Sequence, residues 1–294
     1  MNGTVLVTGA TGNTGAPLVE LLAQRGVAVR AMARNEDAAA RLRANYPARC
    51  RTGRVQVVVA DFERPDQLGE AVKGVTAVYL VTPSSERAQA QQEQFVGLAA
   101  DAGVVHVVKL SQLAANESSP VRFLRYHAAV ERRIRELDLG FTFLRPNLFF
   151  QGLLTMAATI RGQGRMFAPI GQARISAIDV RDIAAVAATA LSEPGHTAAT
   201  YTLTGPEAVT HDEIAAALTA ATGHEVQFLD VPPAAFAEQL RGVLPDWQVD
   251  GLLEDYAHYA RGEAAEVLPT VAEITGRPAR DLTGFATEYA DAFR

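Results

Sequence analysis

The chain has 294 residues, of which 48% are hydrophobic and 20% charged, as is ordinary for a globular protein with one large or two modest domains. Its net charge of -6 argues against nucleic acid or an anionic membrane as a partner, because both attract basic surfaces. The lone Cys50 forms no intramolecular disulfide, and no apolar run reaches the roughly 18 residues that span a bilayer or resembles a secretion signal, so we expect a cytoplasmic protein.

Short valine-rich apolar runs alternate with longer amphipathic stretches through the first half of the chain. We predict strands over residues 4–8, 27–33, 55–61, 77–82, 106–111 and 141–145, and helices over residues 14–25, 36–44, 65–73, 87–103 and 121–137. Strands that are apolar throughout are typical of a sheet covered by helices on both faces. Strict alternation of strand and helix implies parallel strands joined by right-handed crossovers. Residues 1–146 are therefore predicted to form a doubly wound α/β domain with a parallel sheet.

The rhythm of the sequence changes after Pro146. A glycine- and proline-rich stretch leads to further predicted strands at residues 174–178, in the run TYTL and at residues 225–231. Asp179 and Thr210 are placed to cap the helices that follow them. We expect a smaller, mostly helical substrate-side lobe over residues 147–294, with residues 174–191 rejoining the first domain.

Three glycines follow the first predicted strand in the run VTGATGNTG and precede a predicted helix. Their GxxGxxG spacing differs slightly from the GxGxxG fingerprint of dinucleotide-binding proteins, but the physical roles carry over. One glycine permits the tight turn, one lets the backbone approach a pyrophosphate and one packs helix against strand, while amides at the helix start face the phosphates. Clusters of Gly, Thr and Asn also form ordinary turns. The βαβ context favours a dinucleotide site, whose candidate ligands are Gly9, Thr11, Gly12, Asn13, Thr14 and Gly15.

The end of the second predicted strand distinguishes between the two nicotinamide dinucleotides. NAD-binding sites usually place Asp or Glu about 20 residues past the loop, where it holds the ribose 2′-hydroxyl. Arg34 and Asn35 occupy that place here, and a guanidinium suits a 2′-phosphate that a carboxylate would repel. The alternative is a solvated surface arginine, because Glu36 and Asp37 follow directly. We expect NADP(H) as the cofactor.

Two further strand ends supply candidate cofactor contacts, since doubly wound sheets bind ligands outside the carboxyl ends of their strands. Asp61 and Phe62 follow the third predicted strand and are candidates for contacts with the adenine. Thr82 and Pro83 follow the fourth strand, where the nicotinamide half of the cofactor is expected to pass.

Several segments resemble the NmrA-like family of atypical short-chain dehydrogenase/reductases. The loop TGATGNTG and the following ARN carry the resemblance first, and VKLSQLAA, YHAAVERRI, GFTFLRPNLFF and ISAIDVRDIAAVAATAL continue it in the expected order to about Thr204. The family includes quinone reductases, triphenylmethane dye reductases, plant phenylpropanoid reductases and redox-sensing regulators that bind NADP. The resemblance thus implies a Rossmann fold and NADP(H) more strongly than it implies a reaction.

The same resemblance implies a catalytic dyad from which this chain departs. Short-chain dehydrogenase/reductases typically use Ser with Tyr-x-x-x-Lys, in which the tyrosine donates the proton. Ser111 matches the serine, but Phe123 stands where the tyrosine is expected and His127 where the lysine is expected. Tyr126 does not restore the motif, because its partner four residues on is Val130. A site without that acid suits acceptors that delocalise the added electrons, such as quinones or iminium ions.

His127 and Ser111 are the candidate catalytic residues. A lysine at the position of His127 is implicated in catalysis in related plant reductases, so the resemblance implies that His127 donates a proton or holds the ribose. The alternative is a buried, hydrogen-bonded histidine, or one paired with Glu131. Lys109 is either buried near the cofactor or simply paired. The remaining candidate cofactor contacts are Lys109, Ser111, His127 and Pro146.

Side chains after the sixth predicted strand are candidates for an aromatic substrate pocket and equally for the core: Asn147, Phe149 and Phe150. The histidines are scattered without the spacing of metal ligands, so we predict no metal.

The sequence favours one function and leaves two alternatives. The favoured one is an NADPH-dependent reductase whose partner is a quinone-like, conjugated aromatic or iminium small molecule. The first alternative is a non-catalytic NADP(H)-binding redox sensor or regulator. The second is an isomerase or biosynthetic tailoring enzyme with a tightly held cofactor. A homodimer is compatible with all three.

Overall fold

The computed structural model describes residues 3–294, and its centre is a parallel sheet. The strands are β1 (Thr4–Val7), β2 (Ala28–Ala33), β3 (Val55–Val59), β4 (Val75–Leu80), β5 (His106–Leu110), β6 (Gly140–Pro146), β7 (Arg165–Ala168), β8 (Ala199–Leu203) and β9 (Gln227–Asp230). Seven of them form the central sheet in the order β3-β2-β1-β4-β5-β6-β8, with every neighbouring pair parallel. The order reverses between β1 and β4, where doubly wound sheets bind their ligands. The predicted doubly wound α/β class is confirmed.

Helices cover both faces of the central sheet. The helices of the chain are α1 (Gly15–Gln24), α2 (Glu36–Asn45), α3 (Pro47–Arg51), α4 (Pro65–Val72), α5 (Ala88–Asp101), α6 (Arg122–Glu136), α7 (Ala157–Gln163), α8 (Val180–Ser192), α9 (His211–Thr222), α10 (Pro233–Leu240), α11 (Asp246–Ala260), α12 (Thr270–Thr275), α13 (Leu282–Glu288) and α14 (Ala290–Phe293), with a 3-10 helix over Phe150–Met156. α1, α8 and α12 pack on one face, and α4, α5 and α6 pack on the other. Strands such as β5 are therefore buried along their whole length, as their apolar sequences predict. None of the helices in residues 3–294 is long and apolar enough to cross a membrane.

The elements after β6 divide between the central sheet and a separate hydrophobic cluster. α8 packs against α1 and the central sheet, and β8 forms the sheet edge beside β6. β7 and β9 form a two-stranded parallel sheet, and the cluster beside it includes buried side chains of α9, α11 and α13. The division of the chain near residue 146 into two domains stays a prediction.

Two details of the second half differ from expectation. Residues 174–178 do not form a strand, because the neighbouring segments offer only isolated bridges to Ile175 and Ile178. The glycine-rich stretch before them is not all loop, since it contains β7. Gly164 adopts a left-handed conformation that ends α7 and leads the chain directly into that strand.

Both predicted helix caps are confirmed. Asp179 precedes α8, and its carboxylate accepts a hydrogen bond from the Arg181 amide at 2.8 Å. Thr210 precedes α9 and forms a reciprocal capping box with Glu213. These caps set the starting points of the two helices because they satisfy amides that lack intrahelical partners.

Candidate active site

The loop between β1 and α1 shows where glycine is required. Gly9 has a φ of +58°, and a Cβ there would lie 2.7 Å from Val81 Cγ1. A Cβ on Gly15 would lie 2.2 Å from the Gly9 carbonyl oxygen, so glycine at this position lets α1 start directly against the turn. Gly12 is exposed and lines the groove described next. The geometry gives the turn role to Gly9 and the packing role to Gly15.

A groove of about 670 Å³ lies outside the carboxyl ends of β1 to β4. Ten of the predicted cofactor contacts line it: Gly9, Thr11, Gly12, Asn13, Thr14, Arg34, Asp61, Phe62, Thr82 and Pro83. Gly15 does not line the groove, because it packs beneath the loop. Asn35 also lies outside it, because its carboxamide oxygen caps α2 by accepting from the Ala38 amide at 2.9 Å.

The loop offers free hydrogen-bond donors to a phosphate. Within residues 3–294, the amides of Asn13 and Thr14 have no acceptor. Both amides lie at the N-terminal end of α1, where the helix dipole favours negative charge. The side chain of Thr14 forms no cap, which leaves this end of the helix open to a ligand. The loop therefore fits the pyrophosphate of a dinucleotide.

Two free guanidinium groups line the groove beside β2. Arg34 follows this strand, and Arg41 lies on α2 one turn after Ala38, which lines the same groove. Neither arginine forms an ion pair or hydrogen bond within residues 3–294, whereas Glu36 is paired with Arg43. This end of the groove therefore fits an additional phosphate. The sequence reasoning missed Arg41, whose only signal was its helical spacing from Ala38.

A second, smaller cavity of about 330 Å³ lies outside the carboxyl ends of β5 and β6. It shares Val81, Thr82, Leu110 and Phe149 with the groove, so the two spaces adjoin. Three predicted cofactor contacts line this cavity rather than the groove: Ser111, His127 and Pro146. The other polar and aromatic side chains in its wall are Ser84, Gln92, Gln112, Phe123, Tyr126, Asn147, Asp255 and Tyr259. A mostly apolar space with a few converging polar groups is typical of a small-molecule site.

His127 lines the cavity, with Lys109 of β5 behind it. Lys109 is fully buried, and its Nζ lies 2.7 Å from His127 Nδ1 and donates to the Leu110 carbonyl at 3.0 Å. Lys109 was predicted to contact the cofactor, but it lines neither the groove nor the cavity and contacts His127 instead. Burial, followed by the nearby charge of Lys109, lowers the pKa of His127 well below its ordinary value, which keeps the imidazole neutral at pH 7. Burial lowers the pKa of Lys109 to about 7, and while Lys109 is protonated it can only donate, so His127 Nδ1 then accepts and Nε2 carries the ring hydrogen.

Glu131, one turn after His127 on α6, is not the partner of the histidine. Its carboxylate is 1% exposed and accepts from Ser111 Oγ at 2.6 Å and from Arg145 Nε and Nη2 at 3.0 and 2.5 Å. The alternative of a His127–Glu131 pair is therefore wrong. Because the hydroxyl hydrogen of Ser111 is directed to Glu131, this serine holds the end of β5 against α6 and has no hydrogen left for a ligand.

Two other aromatic residues of α6 flank His127 in the cavity wall. The ring of Phe123 packs on Gly251 of α11, where a Cβ would lie 2.3 Å from Phe123 Cζ. The ring of Tyr126 lies 4.1 Å from that of His127 between centroids, and its hydroxyl lies 3.1 Å from Ser84 Oγ. Burial raises the pKa of Tyr126 to about 12. A tyrosine therefore reaches the cavity, which the helical spacing did not indicate, but its hydroxyl is bonded to a serine and not to a lysine.

The three predicted substrate contacts have different surroundings. Phe149 lies in the wall that the groove and the cavity share. Asn147 lines the cavity, although its amide nitrogen already donates to Ser176 Oγ at 2.9 Å. Phe150 lines neither space, because its ring is buried against Phe285 with centroids 5.3 Å apart. Phe150 is therefore a core residue.

Asp255 of α11 is a cavity residue that the sequence reasoning missed. It is 6% exposed, and both carboxyl oxygens accept from Gln112 Nε2, at 3.0 and 2.8 Å. Burial raises the pKa of Asp255 to about 7, against the hydrogen bond from Gln112, which lowers it. The surrounding sequence LLEDYAHYAR reads as an ordinary packing helix, so no local signal marks this carboxyl group.

The fold and these two adjoining spaces define a Rossmann-type dinucleotide-binding protein with a separate cavity for a small molecule. The model of the NmrA-like family matches residues 1–277. The chain belongs to the NmrA-like family, and the family predicted from the sequence is confirmed.

Individual relatives match nearly the whole chain. NAD(P)H azoreductase of Xenophilus azovorans is 35% identical over 290 residues, which cover 98% of this chain and 99% of the relative. The (4-alkanoyl-5-oxo-2,5-dihydrofuran-3-yl)methyl phosphate reductase of Streptomyces griseus is 36% identical over 290 residues, with the same coverage of 98% and 99%. The solved structure of NADPH-dependent quinone oxidoreductase QOR2 from Escherichia coli in complex with NADPH has a TM-score of 0.84 at 27% identity, and covers 97% of this chain and 99% of that chain.

Proposed function

We propose that this protein is an NADPH-dependent reductase of a quinone-like or otherwise conjugated aromatic acceptor. The observation that carries the proposal is the junction of the two spaces. A groove whose loop amides and two arginines have no partner among residues 3–294 adjoins an aromatic cavity across a wall that includes Leu110 and Phe149. The three relatives described above are a reductase of azo compounds, a reductase of a dihydrofuran phosphate and a quinone oxidoreductase, which supports NAD(P)H-dependent reduction in general.

The groove residues hold the cofactor, which supplies a hydride when it is bound. The amides of Asn13 and Thr14 bind the pyrophosphate, since they have no other acceptor within residues 3–294. The guanidinium groups of Arg34 and Arg41 bind the 2′-phosphate, which distinguishes NADPH from NADH. The other groove residues proposed to contact the cofactor are Asp61, Phe62, Thr82 and Pro83.

The cavity wall suits an aromatic acceptor without an anionic group. Phe123, Tyr126 and Phe149 supply ring surfaces for a flat conjugated molecule. No lysine or arginine lines the cavity in the part of the chain that the structure describes, so a phosphate group has no cation to pair with there. We therefore expect weaker binding of phosphorylated acceptors than of uncharged ones, in contrast to the substrate named for the Streptomyces relative.

His127 is the proposed hydrogen-bond donor to the acceptor. Its Nδ1 is held by Lys109, and its Nε2 forms no hydrogen bond within residues 3–294. A neutral imidazole N–H in the wall of a mostly apolar cavity stabilises negative charge that develops on an acceptor oxygen or nitrogen. The low pKa of His127 means that it orients and stabilises the acceptor without releasing a proton from an imidazolium ion. Ser111 is a positioning residue in this proposal, since it fixes the end of β5 through Glu131.

The direct test is NADPH oxidation in the presence of a panel of a benzoquinone, a naphthoquinone, an azo dye and a triarylmethane dye. We expect at least one aromatic acceptor to accelerate oxidation, with NADPH preferred over NADH. Reactions without protein and reactions without acceptor give the background rates. If no acceptor raises the rate above background while NADP⁺ and NADPH both bind, the reductase proposal fails and the redox-sensor alternative takes its place.

A further inference from the structure

We propose that Asp255 is the proton donor to the acceptor, so that the acid comes from α11 and not from α6. This inference rests on the proposed reductase function and adds the source of the proton. A hydride brings two electrons and one hydrogen, and an azo compound then needs one proton on nitrogen to become a neutral hydrazine. His127 is neutral, the hydrogen of Ser111 is directed to Glu131, and Lys109, whose pKa burial lowers to about 7, lines neither the groove nor the cavity, so none of the three is a protonated acid in contact with the acceptor.

The position of Asp255 supports a protonated carboxyl group. Its side chain is in the cavity wall and is almost fully buried. Both oxygens accept from one nitrogen of Gln112, and Asp255 forms no ion pair with any lysine or arginine in residues 3–294. A carboxylate that is buried without a cation is unfavourable, so the group holds a proton instead.

The titratable groups around Asp255 supply no competing acid near pH 7, although the hydrogen bond of Tyr259 lowers the pKa of Asp255. Glu254, its neighbour on α11, adds a negative charge that disfavours ionisation. Tyr126 of α6 and Tyr256 of α11 stay neutral, because burial raises both pKa values to about 12. The pKa of Tyr259 is raised still further above its ordinary value. Asp255 is the acid of this group whose pKa, about 7, suits proton donation near neutral pH.

The O–H bond of Asp255 breaks while an N–H bond forms on the reduced azo nitrogen, and the electron pair of the broken bond stays on the carboxylate. After the product leaves, the carboxylate takes a proton from water. A triarylmethyl cation, by contrast, becomes a neutral triarylmethane when it gains a hydride alone. Reduction of such a dye therefore needs no proton donor. Comparing the two dyes distinguishes proton donation by Asp255 from a general role of this residue in folding or binding.

The kinetic experiment compares Asp255→Asn with Asp250→Asn, which makes the same change on α11 outside the cavity. With bound NADPH, we expect Asp255→Asn to lower kcat for an azo dye about a hundredfold and to leave the reduction of a triarylmethane dye nearly unchanged. The decline of the wild-type azo-dye rate as the pH rises through about 7 should disappear in this variant. Asp250→Asn should behave as wild type with both dyes.

A second measurement does not depend on turnover. Infrared difference spectra between the wild type and Asp255→Asn, recorded without cofactor, should contain a protonated carboxyl band that is lost as the pH rises through about 7. If Asp255→Asn does not fold, Gln112→Met serves instead. It removes the donor that lowers the pKa of Asp255, so the decline of the azo-dye rate should move to higher pH.

Several results would overturn the inference. These are an Asp255 carboxyl group that is ionised at every pH, equal losses of kcat for the two dyes, or no loss of kcat for the azo dye. If the wild-type protein reduces the dyes and Asp255→Asn reduces them at the same rates, only the donor role is refuted. A wild-type protein that reduces no acceptor refutes the proposed function and the donor role together.

Discussion

Glu131→Gln tests whether the buried network between β5, α6 and β6 holds the cavity wall together. The change keeps an oxygen that can accept from Ser111 but removes the charge that faces Arg145, whose side chain is 25% exposed. Loss of one partner of a buried ion pair costs about 3–5 kcal/mol, and the solvent contact of Arg145 places the expected loss in unfolding free energy near 3 kcal/mol. That loss corresponds to an increase in the unfolding constant of about a hundredfold.

Urea denaturation followed by tryptophan fluorescence measures this change. Trp247 is the only tryptophan in the chain, and its ring packs against Phe123 of α6 with centroids 5.3 Å apart. The matched control is Glu136→Gln on the same helix, where the pair with Arg132 is exposed and contributes little. Equal denaturation midpoints for the Glu131 and Glu136 variants would refute the reasoning.

A double variant separates the cost of an unpaired charge from the value of the pair. Glu131→Leu together with Arg145→Met replaces both charged partners with apolar side chains. Because Arg145 is then no longer left as an unpaired charge, the double variant should be more stable than Glu131→Gln alone. A double variant less stable than the single one would mean that the pair itself, and not the unpaired Arg145, accounts for the loss.

Three further predictions concern the groove and the histidine. Arg34→Asp should raise the Kd for NADPH at least about tenfold more than that for NADH in fluorescence titrations, and equal increases would contradict the 2′-phosphate assignment. Gly12→Ala should weaken NADPH binding with little change in Tm, whereas Gly15→Ala, whose Cβ would lie 2.2 Å from the Gly9 oxygen, should also destabilise the fold by about 1–3 kcal/mol in calorimetry. His127→Ala should lower kcat for a quinone about a hundredfold with the Kd for NADPH unchanged, and a variant that is unfolded by circular dichroism would indicate a structural role alone.

The central sheet and most of the groove were predictable because their signals are local. Each lining segment that was predicted follows a strand directly, and the carboxyl ends of parallel strands meet at one edge of the sheet. The failures have local causes too. Asn35 stands beside a correctly placed residue, but its side chain is used as a helix cap. Phe150 follows Phe149, yet the ring of Phe150 enters the C-terminal core. Position along the chain was predicted well, while side-chain direction was not.

The cavity was less predictable because its wall combines segments far apart in sequence. Gln112 follows β5, and the Asp255 carboxyl group that it contacts lies 143 residues later on α11. No periodicity or motif in the sequence indicates such a contact, because each residue alone is typical of an ordinary surface or packing position. Lys109 shows the same limit. A lysine inside a strand predicts burial or pairing, but only the packing of β5 against α6 shows that its partner is His127.

The packing of Phe123 shows where the hydroxyl group of a tyrosine at this position would lie. Its Cζ is the carbon that carries the hydroxyl group in tyrosine, and this atom would lie 2.3 Å from a Cβ on Gly251. A hydroxyl at this position would therefore meet the backbone of α11 and not an acceptor in the cavity, at a cost of about 1–3 kcal/mol from crowding. Phe123→Tyr, alone or with His127→Lys, should lower Tm and should not enable reduction of a simple ketone with NADPH. Ketone reduction by the double variant would contradict this packing, since it would require the new hydroxyl to reach the acceptor.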